Sequence, residues 1–325
     1  MLQSFSQLLE KVNAHIDTLD YAHEPMHLYE PVKYILSLGG KRIRPAMMLM
    51  AYNMYRDNVE AILDPALALE IYHNFTLLHD DLMDNADMRR GNPTVHKRWD
   101  ANTAILSGDV MISLADVYMS RVDDAYFREV MATFHRTSIE IAEGQQYDMD
   151  FETRDDVTEA EYIEMIRLKT SVLLACALKI GAVLGGASKE DAELLYRLGE
   201  SIGLAFQLRD DYLDVYGDPK VFGKKIGGDI LCNKKTYMLI TALELANDQQ
   251  RQELNHWLTA TDYVPAEKIS AVTRIYNEVG VDKRCEAIVE DYYKQGLAIL
   301  DGIALPAERK AELQNFVCGL MGRKV

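Results

Sequence analysis

Residues 64–90 read DPALALEIYHNFTLLHDDLMDNADMRR, and the rest of the chain is organised around them. Asp64 suits a helix N-cap and Pro65 the first helical position, and no Gly or Pro interrupts until Gly91. The stretch predicts one long helix running into Asp80-Asp81-Leu82-Met83-Asp84 and then Arg89-Arg90. On a helix Asp80 and Asp84 share a face, while Asp81 points about 100° away. Carboxylates that close repel unless water or cations offset them. Phe75, Leu77, Leu78, Leu82 and Met83 imply burial on several sides, which favours cations. Mg²⁺ takes carboxylate oxygens and completes its octahedron with water and substrate phosphates.

A second copy, Asp210-Asp211-Tyr212-Leu213-Asp214, follows 130 residues later (210 minus 80). With 26% charged residues, a lone DDxxD is most often a solvated helix face. Two copies, each behind an apolar helical run (75–79 and 203–208), point instead to metal binding.

Composition bounds the class. The 325 residues carry no Pro/Ser-rich linker or composition break, so one domain spanning 1–325 is expected. Hydrophobic residues reach 48%, while only 19 Gly and 8 Pro punctuate the chain, which fits long helices and an all-α fold. No continuous apolar run approaches the roughly 20 residues that span a bilayer. Met1–Glu10 lacks a charged segment followed by an apolar one, and a cytoplasmic location is expected. Cys176, Cys232, Cys285 and Cys318 are far apart without a CxxC pair, so they read as small buried or half-buried residues. A net charge of −16 argues against general affinity for nucleic acid or anionic membrane. The basic residues cluster beside glycines or acidic motifs, as small anionic ligands require: 41–44, 89–90, 97–98, 224–225 and 234–235.

Leu8, Val12, Ile16 and Leu19 at helical spacing predict an opening helix over 4–20. Leu38-Gly39-Gly40-Lys41-Arg42-Ile43-Arg44-Pro45 reads as an anion cradle, with backbone N–H groups and cations converging ahead of a helix N-terminus at Pro45. Met47, Met48 and Met50 beyond it are core filler. His73, seven residues before Asp80, lies on nearly the same face and can reach the same ligand. Arg89 and Arg90 suit bidentate phosphate binding or pairing with the neighbouring aspartates.

Helices are expected over 101–120 and 124–150. Thr158 with Glu161 forms a capping box for a helix over 159–184. Lys169 in its middle must reach solvent or a polar cavity. Ser188 and Asp191 open the helix carrying the second acidic motif, which stops at Gly217-Asp218-Pro219. Gly199 and Gly203 on it predict a close helix neighbour. The basic segment 221–229 reads as a lid over a bound anion and lacks P-loop spacing. Amphipathic helices follow, broken near 261–265, at Gly280 and at 302–306.

Two acidic motifs facing a shared cavity would bind several Mg²⁺ ions, basic loops would hold phosphate oxygens, and the apolar face of Tyr72, Phe75 and Leu78 would hold hydrocarbon. The implied substrate is a diphosphate with a hydrocarbon remainder; ionising a diphosphate from an allylic carbon needs its leaving charge neutralised in a dry site, which clustered metals and lysines do.

On these residues the sequence resembles the trans-type polyprenyl diphosphate synthases. The motifs that carry the resemblance are Gly39-Gly40-Lys41-Arg42-x-Arg44-Pro45; Asp80-Asp81-x-x-Asp84 with Arg89-Arg90-Gly91; Gly144-Gln145-x-x-Asp148; Lys169-Thr170; Phe206-Gln207-x-x-Asp210-Asp211-x-x-Asp214; and Gly223-Lys224 with Gly228-Asp229. The resemblance implies an all-α barrel of antiparallel helices around a deep cavity, a homodimer, and condensation of isopentenyl diphosphate with an allylic diphosphate by ionisation, attack and proton loss. It implies Asp80, Asp84 and Asp210 as metal ligands, supported by Asp81, Asp211 and Asp214. Arg89, Lys169, Thr170, Gln207, Lys224 and Lys234 would hold the allylic diphosphate, with Lys169, Gln207, Lys224 and Lys234 as the catalytic groups. Lys41, Arg42, Arg44, His73 and Arg90 would hold isopentenyl diphosphate.

Family members set product length by side-chain bulk before the first motif. Phe75, with Tyr72 and Thr76, would form a floor about 7.5 Å down the axis, implying products of 15 or 20 carbons, with a longer-chain polyprenyl diphosphate synthase as the alternative. One departure is Cys232-Asn233 before Lys234, where the family commonly has Glu-Gly. A terpene cyclase would alter the second acidic motif, and an inert partner subunit would show eroded motifs. Both motifs here are whole.

Overall fold

The computed structural model describes residues 2–20, 23–218 and 226–321. Helices dominate these residues: α1 (Phe5–Asp17), α2 (Met26–Ser37), α3 (Ile43–Asn53), α4 (Leu63–Met83), α5 (Val95–Arg98), α6 (Ala101–Met119), α7 (Asp124–Glu152), α8 (Glu159–Ile166), α9 (Val172–Gly185) and α10 (Lys189–Tyr216). Further helices cover Gly228–Leu231, Tyr237–Leu245, Asp248–Thr259, Pro265–Val279, Val281–Asp301 and Ala307–Met321. Among the described residues, β structure is confined to Met88–Arg89 paired antiparallel with Asn92–Pro93. The chain is all-α, as its sparse Gly and Pro imply.

Contacts divide the chain into two compact units. The first comprises Met1–His135, Cys176–Tyr196 and Ile303–Leu313; the second comprises Arg136–Ala175, Arg197–Gly302 and Gln314–Val325. In the first, α4 packs along α6 and against α3 and α1. Met47, Met48, Leu49, Ala68, Leu69, Met111 and Ala115 fill the space between with almost no exposure. Gly108 on α6 leaves room there for the His79 ring, from which a Cβ would lie 2.1 Å. In the second, Gly199 and Gly203 let α10 approach closely, because added Cβ atoms would lie 2.4 Å from Ala175 Cα and 2.5 Å from Ser171 Cα. The helix Pro265–Val279 packs against Gly228–Leu231, Tyr237–Leu245 and Asp248–Thr259.

Several local expectations change. α4 begins at Leu63 behind a 3-10 turn, Val59–Ile62. Asp64 is therefore not the cap, and its carboxylate instead accepts from His15 at 2.7 Å and Arg121 at 3.2 Å. α3 starts at Ile43, two residues before Pro45, with Arg42 left-handed at φ 47°. The opening helix ends at Asp17, so Leu19 lies beyond it, while Leu8, Val12 and Ile16 are buried as the spacing requires. The Thr158/Glu161 capping box forms. The helix beyond it is not uniform: Arg167–Ser171 is a π turn between α8 and α9. Cys176 and Cys285 are buried, whereas Cys232 and Cys318 are exposed. The segment 159–185 has the length and apolarity of a membrane span, yet 83% of its most apolar window is buried in the chain's own core.

Candidate active site

In the first unit the apolar run of α4 buries one acid, Glu70, and the loop before α3 supplies its cation. Arg42 reaches Glu70 at 2.5 Å and the Leu36 carbonyl at 2.6 Å. Both side chains are essentially unexposed, at 3% and 2%. Arg42 thus tethers the loop. Its neighbours face differently. Lys41 is exposed, and Arg44 donates to His73 Nε2 across 3.1 Å. Arg90, itself left-handed, donates to the Gly39 carbonyl and lies against Gly40, where a Cβ would come within 2.8 Å of its guanidinium.

These guanidinium groups make the field at His73. Burial, then Arg44, Arg90, Arg89 and Arg42, depress the imidazole well below its ordinary range, so it is neutral and its Nε2 lone pair accepts from Arg44. Burial lowers the Arg44 guanidinium to about 10, with Glu70 opposing. Four arginines gathered near two buried carboxylates, Glu70 and Asp81, leave a surplus of positive charge, the setting in which an anionic ligand gains most.

The first acidic motif sits at the C-terminal end of α4. Asp81 is buried, and Arg89 grips it through Nε at 3.0 and 3.1 Å and Nη2 at 2.5 Å. Burial raises the Asp81 carboxyl even so. Asp80 is half-buried and Asp84 is exposed at the C-cap, one turn away on the same face. Below them Phe75 meets Tyr72 edge-on at 5.3 Å and His79 at 4.8 Å, and Tyr72 meets Phe134 at 5.3 Å. Thr76 turns its hydroxyl to the His73 carbonyl at 2.8 Å.

In the second unit the π turn displaces the helix by one residue and brings two polar side chains to bear. Lys169 Nζ lies 2.6 Å from Asp148 Oδ2, and Lys234 Nζ lies 3.8 Å from the same oxygen. Burial alone would raise the Asp148 carboxyl; Lys234 and Lys169 outweigh it and hold it below the ordinary range. Thr170 donates to Gln207 Oε1 at 3.3 Å, and Gln207 Nε2 donates to Asp211 Oδ1 at 3.2 Å. Tyr162 donates to the other Asp211 oxygen. Buried Asp211 is pushed up to about 7. Asp214, also buried, accepts the Asp229 N–H at 3.0 Å and holds the start of the helix Gly228–Leu231. Asp210 is half-buried. Of the expected lid over 221–229, Lys224 and the rest of 221–225 lie outside the described residues, while 228–229 open the helix Gly228–Leu231.

The sequence reading missed Glu70 and Tyr162, and it quoted Asp148 only within a motif, without a partner. A lone acid inside the apolar run Ala66–Tyr72 was the available signal for Glu70; nothing local marks Tyr162. As for metal, Asp80, Asp84 and Asp210 are hard oxygen donors that are not fully buried, and among the described residues no three His, Cys, Asp or Glu side chains group into a metal cage. Incompletely buried carboxylates of this kind are individually suited to Mg²⁺, which keeps water in its shell.

Paired aspartates on a helix with a cluster of arginines beside them make a place for an anionic ligand and a hard cation. The sequence profile of the family Polyprenyl synthetase matches residues 25–279, and the chain belongs to that family as a short-chain trans-prenyltransferase. A geranylgeranyl diphosphate synthase of Methanosarcina mazei is 47% identical over 235 residues, 72% of each chain. The crystal structure of a geranylgeranyl pyrophosphate synthase superposes with a TM-score of 0.91 at 44% identity, covering 98% of both chains. A geranylgeranyl pyrophosphate synthase from Corynebacterium glutamicum, complexed with isoprenyl diphosphate and magnesium, does so at 0.84 with 27% identity, over 98% of this chain and 97% of the other.

Proposed function

We propose that this chain condenses isopentenyl diphosphate with an allylic diphosphate to give a trans-polyprenyl diphosphate of 15 to 20 carbons, as a single synthetase domain over residues 1–325. The observation that carries this reading is the surplus of guanidinium charge around neutral His73, next to the hard carboxylates of Asp80 and Asp84. The geranylgeranyl diphosphate synthases among its relatives support the product length.

Asp80, Asp84 and Asp210 are assigned as Mg²⁺ ligands, and the complex of the Corynebacterium enzyme supports that metal. Bound Mg²⁺ would neutralise the charge that develops on the leaving diphosphate. Asp81 orients Arg89 toward the allylic diphosphate. Asp211 and Asp214 act behind Asp210, one fixing Gln207 and the other the segment before Lys234. Lys169, Thr170, Gln207, Lys224 and Lys234 hold the allylic diphosphate and stabilise its charge as the carbon–oxygen bond breaks. Lys41, Arg44, His73 and Arg90 hold isopentenyl diphosphate, with Arg42 fixing their loop. Because His73 is neutral, it accepts from Arg44 and keeps that guanidinium aimed. Phe75, with Tyr72 and Thr76, limits hydrocarbon length. Cytoplasmic location and homodimer assembly belong to the same proposal, the latter supported by exposed Ile105, Leu106 and Val117 on α6.

Incubation of the purified chain with Mg²⁺, radiolabelled isopentenyl diphosphate and each allylic primer, followed by chromatography of the dephosphorylated products, tests the reading. A discrete alcohol of 15 or 20 carbons supports it. Products of 25 carbons or more would overturn the length assignment, and no incorporation with any primer would overturn the activity.

A further inference from the structure

Lys268 is the most deeply buried ammonium among the described residues, 1% exposed on the helix Pro265–Val279. Its Nζ donates to Asn233 Oδ1 at 2.6 Å and lies 4.6 Å from the Tyr263 ring centre. A buried charge held by a neutral amide and an aromatic face is costly to keep, and an apolar pair of similar volume would fill the same space at less expense. Stability alone therefore does not account for it.

Asn233 is the other half of the contact. Its φ is 54°, a left-handed conformation that L residues resist and that Asn tolerates better than most. Its side chain is used at both ends, since Nδ2 donates to the Leu258 carbonyl at 3.0 Å. The turn after the helix Gly228–Leu231 is thereby pinned to two other helices at one residue. The next residue is Lys234, whose N–H returns to the Asp229 carbonyl at 2.9 Å and whose ammonium stands 3.8 Å from Asp148, the carboxylate that also holds Lys169. A lysine has four rotatable bonds and, with 46% of its side chain exposed, gets little direction from packing. The backbone at Asn233 sets where it starts.

We infer that Lys268 and Asn233 are positioning residues for Lys234, locking the left-handed turn so that the ammonium of Lys234 is delivered beside Lys169 at Asp148. The inference rests on the proposed role of Lys234 in holding the allylic diphosphate, and it adds two residues that never touch substrate.

Steady-state kinetics on Lys268→Met, Asn233→Ala, Lys234→Ala and the two doubles with Lys234→Ala test it. Lys268→Met and Asn233→Ala should each raise KM for the allylic diphosphate about tenfold while leaving KM for isopentenyl diphosphate within about twofold. In the Lys234→Ala background the same substitutions should add less than about twofold, because the group they position is gone. If Lys268→Met does not fold, Asn233→Ala carries the comparison. Wild-type KM in the folded single variants, beside an impaired Lys234→Ala, would overturn the inference and leave the role of Lys234 standing. A full tenfold loss on top of Lys234→Ala would show general disruption and also overturn it. An unimpaired Lys234→Ala would remove the role of Lys234 and the inference with it.

Discussion

Replacing Phe75 by Ala should lengthen the product by about one isoprene unit. Phe75 lies five residues before Asp80, about 7.5 Å along the axis of α4. One turn deeper on the same face is Ile71, buried, about 6 Å further on. An isoprene unit adds four carbons to the main chain, about 5 Å when extended, given 3.8 Å across the three bonds between neighbouring Cα atoms. Removing the ring therefore opens room for one unit before Ile71 and Tyr72 close the path. The variant should still fold. A fully buried Phe→Ala change costs about 3–5 kcal/mol, and Phe75 is only half-buried. Half burial brings the total, loss of its edge contacts with Tyr72 and His79 included, to about 2–3 kcal/mol, inside ordinary domain stability. Product chromatography against standards differing by five carbons reads the effect. A folded Phe75→Ala protein with an unchanged product distribution would refute the floor.

Arg42→Met should cost about 3–5 kcal/mol by leaving Glu70 buried without its cation, and Arg42→Met/Glu70→Leu should recover most of that; urea denaturation of the three proteins checks both statements. His73→Gln should change the pH dependence of stability. The native imidazole is depressed, so the unfolded chain binds the extra proton; the contribution of His73 is complete above about pH 6.5 and is lost as pH falls, with a slope approaching about 1.4 kcal/mol per pH unit. Denaturation of wild type and variant between pH 5 and 8 should show their stability difference shrinking toward acid, and a constant difference contradicts the burial of a neutral ring. Gly144→Ala should destabilise by about 1–3 kcal/mol or more, since the new Cβ would sit 2.3 Å from the Lys169 backbone N. It should also raise KM for the allylic substrate by moving Lys169 off Asp148, measured by melting and steady-state kinetics.

Where the sequence could be read, a local signal coincided with the tertiary one. Pro and Gly breaks placed the ends of the helices after residue 260, though not the break between Leu245 and Asp248, which Asn247 caps, and the Thr158/Glu161 box started α8 where expected. Gly199 and Gly203 implied a close helix neighbour, which the Ser171 and Ala175 backbone supplies. The acidic and basic motifs were legible because repeated charge beside apolar runs has few uses. What escaped depended on distant partners. Asp64 has the chemistry of a cap, but His15 and Arg121, far away in sequence, claim it. Arg42 looked equivalent to Arg44 in one loop, and only the position of Glu70 on α4 separates a tether from a ligand. The π turn at 167–171 has no local signature; the residues that lie against it, Gly144 and Gly203, are distant in sequence. α2 also went unread between the opening helix and the glycine loop, its helical pattern interrupted by Pro31.

The most direct measurement is turnover of labelled isopentenyl diphosphate with an allylic primer in Mg²⁺ and then in excess chelator, with Asp84→Asn and Asp210→Asn proteins alongside. The account predicts a product of 15 to 20 carbons in Mg²⁺, its loss on chelation and return when Mg²⁺ is restored, and a fall in kcat of about a hundredfold or more in each variant. Product formation undiminished by chelation, or wild-type kcat in both variants, would contradict it.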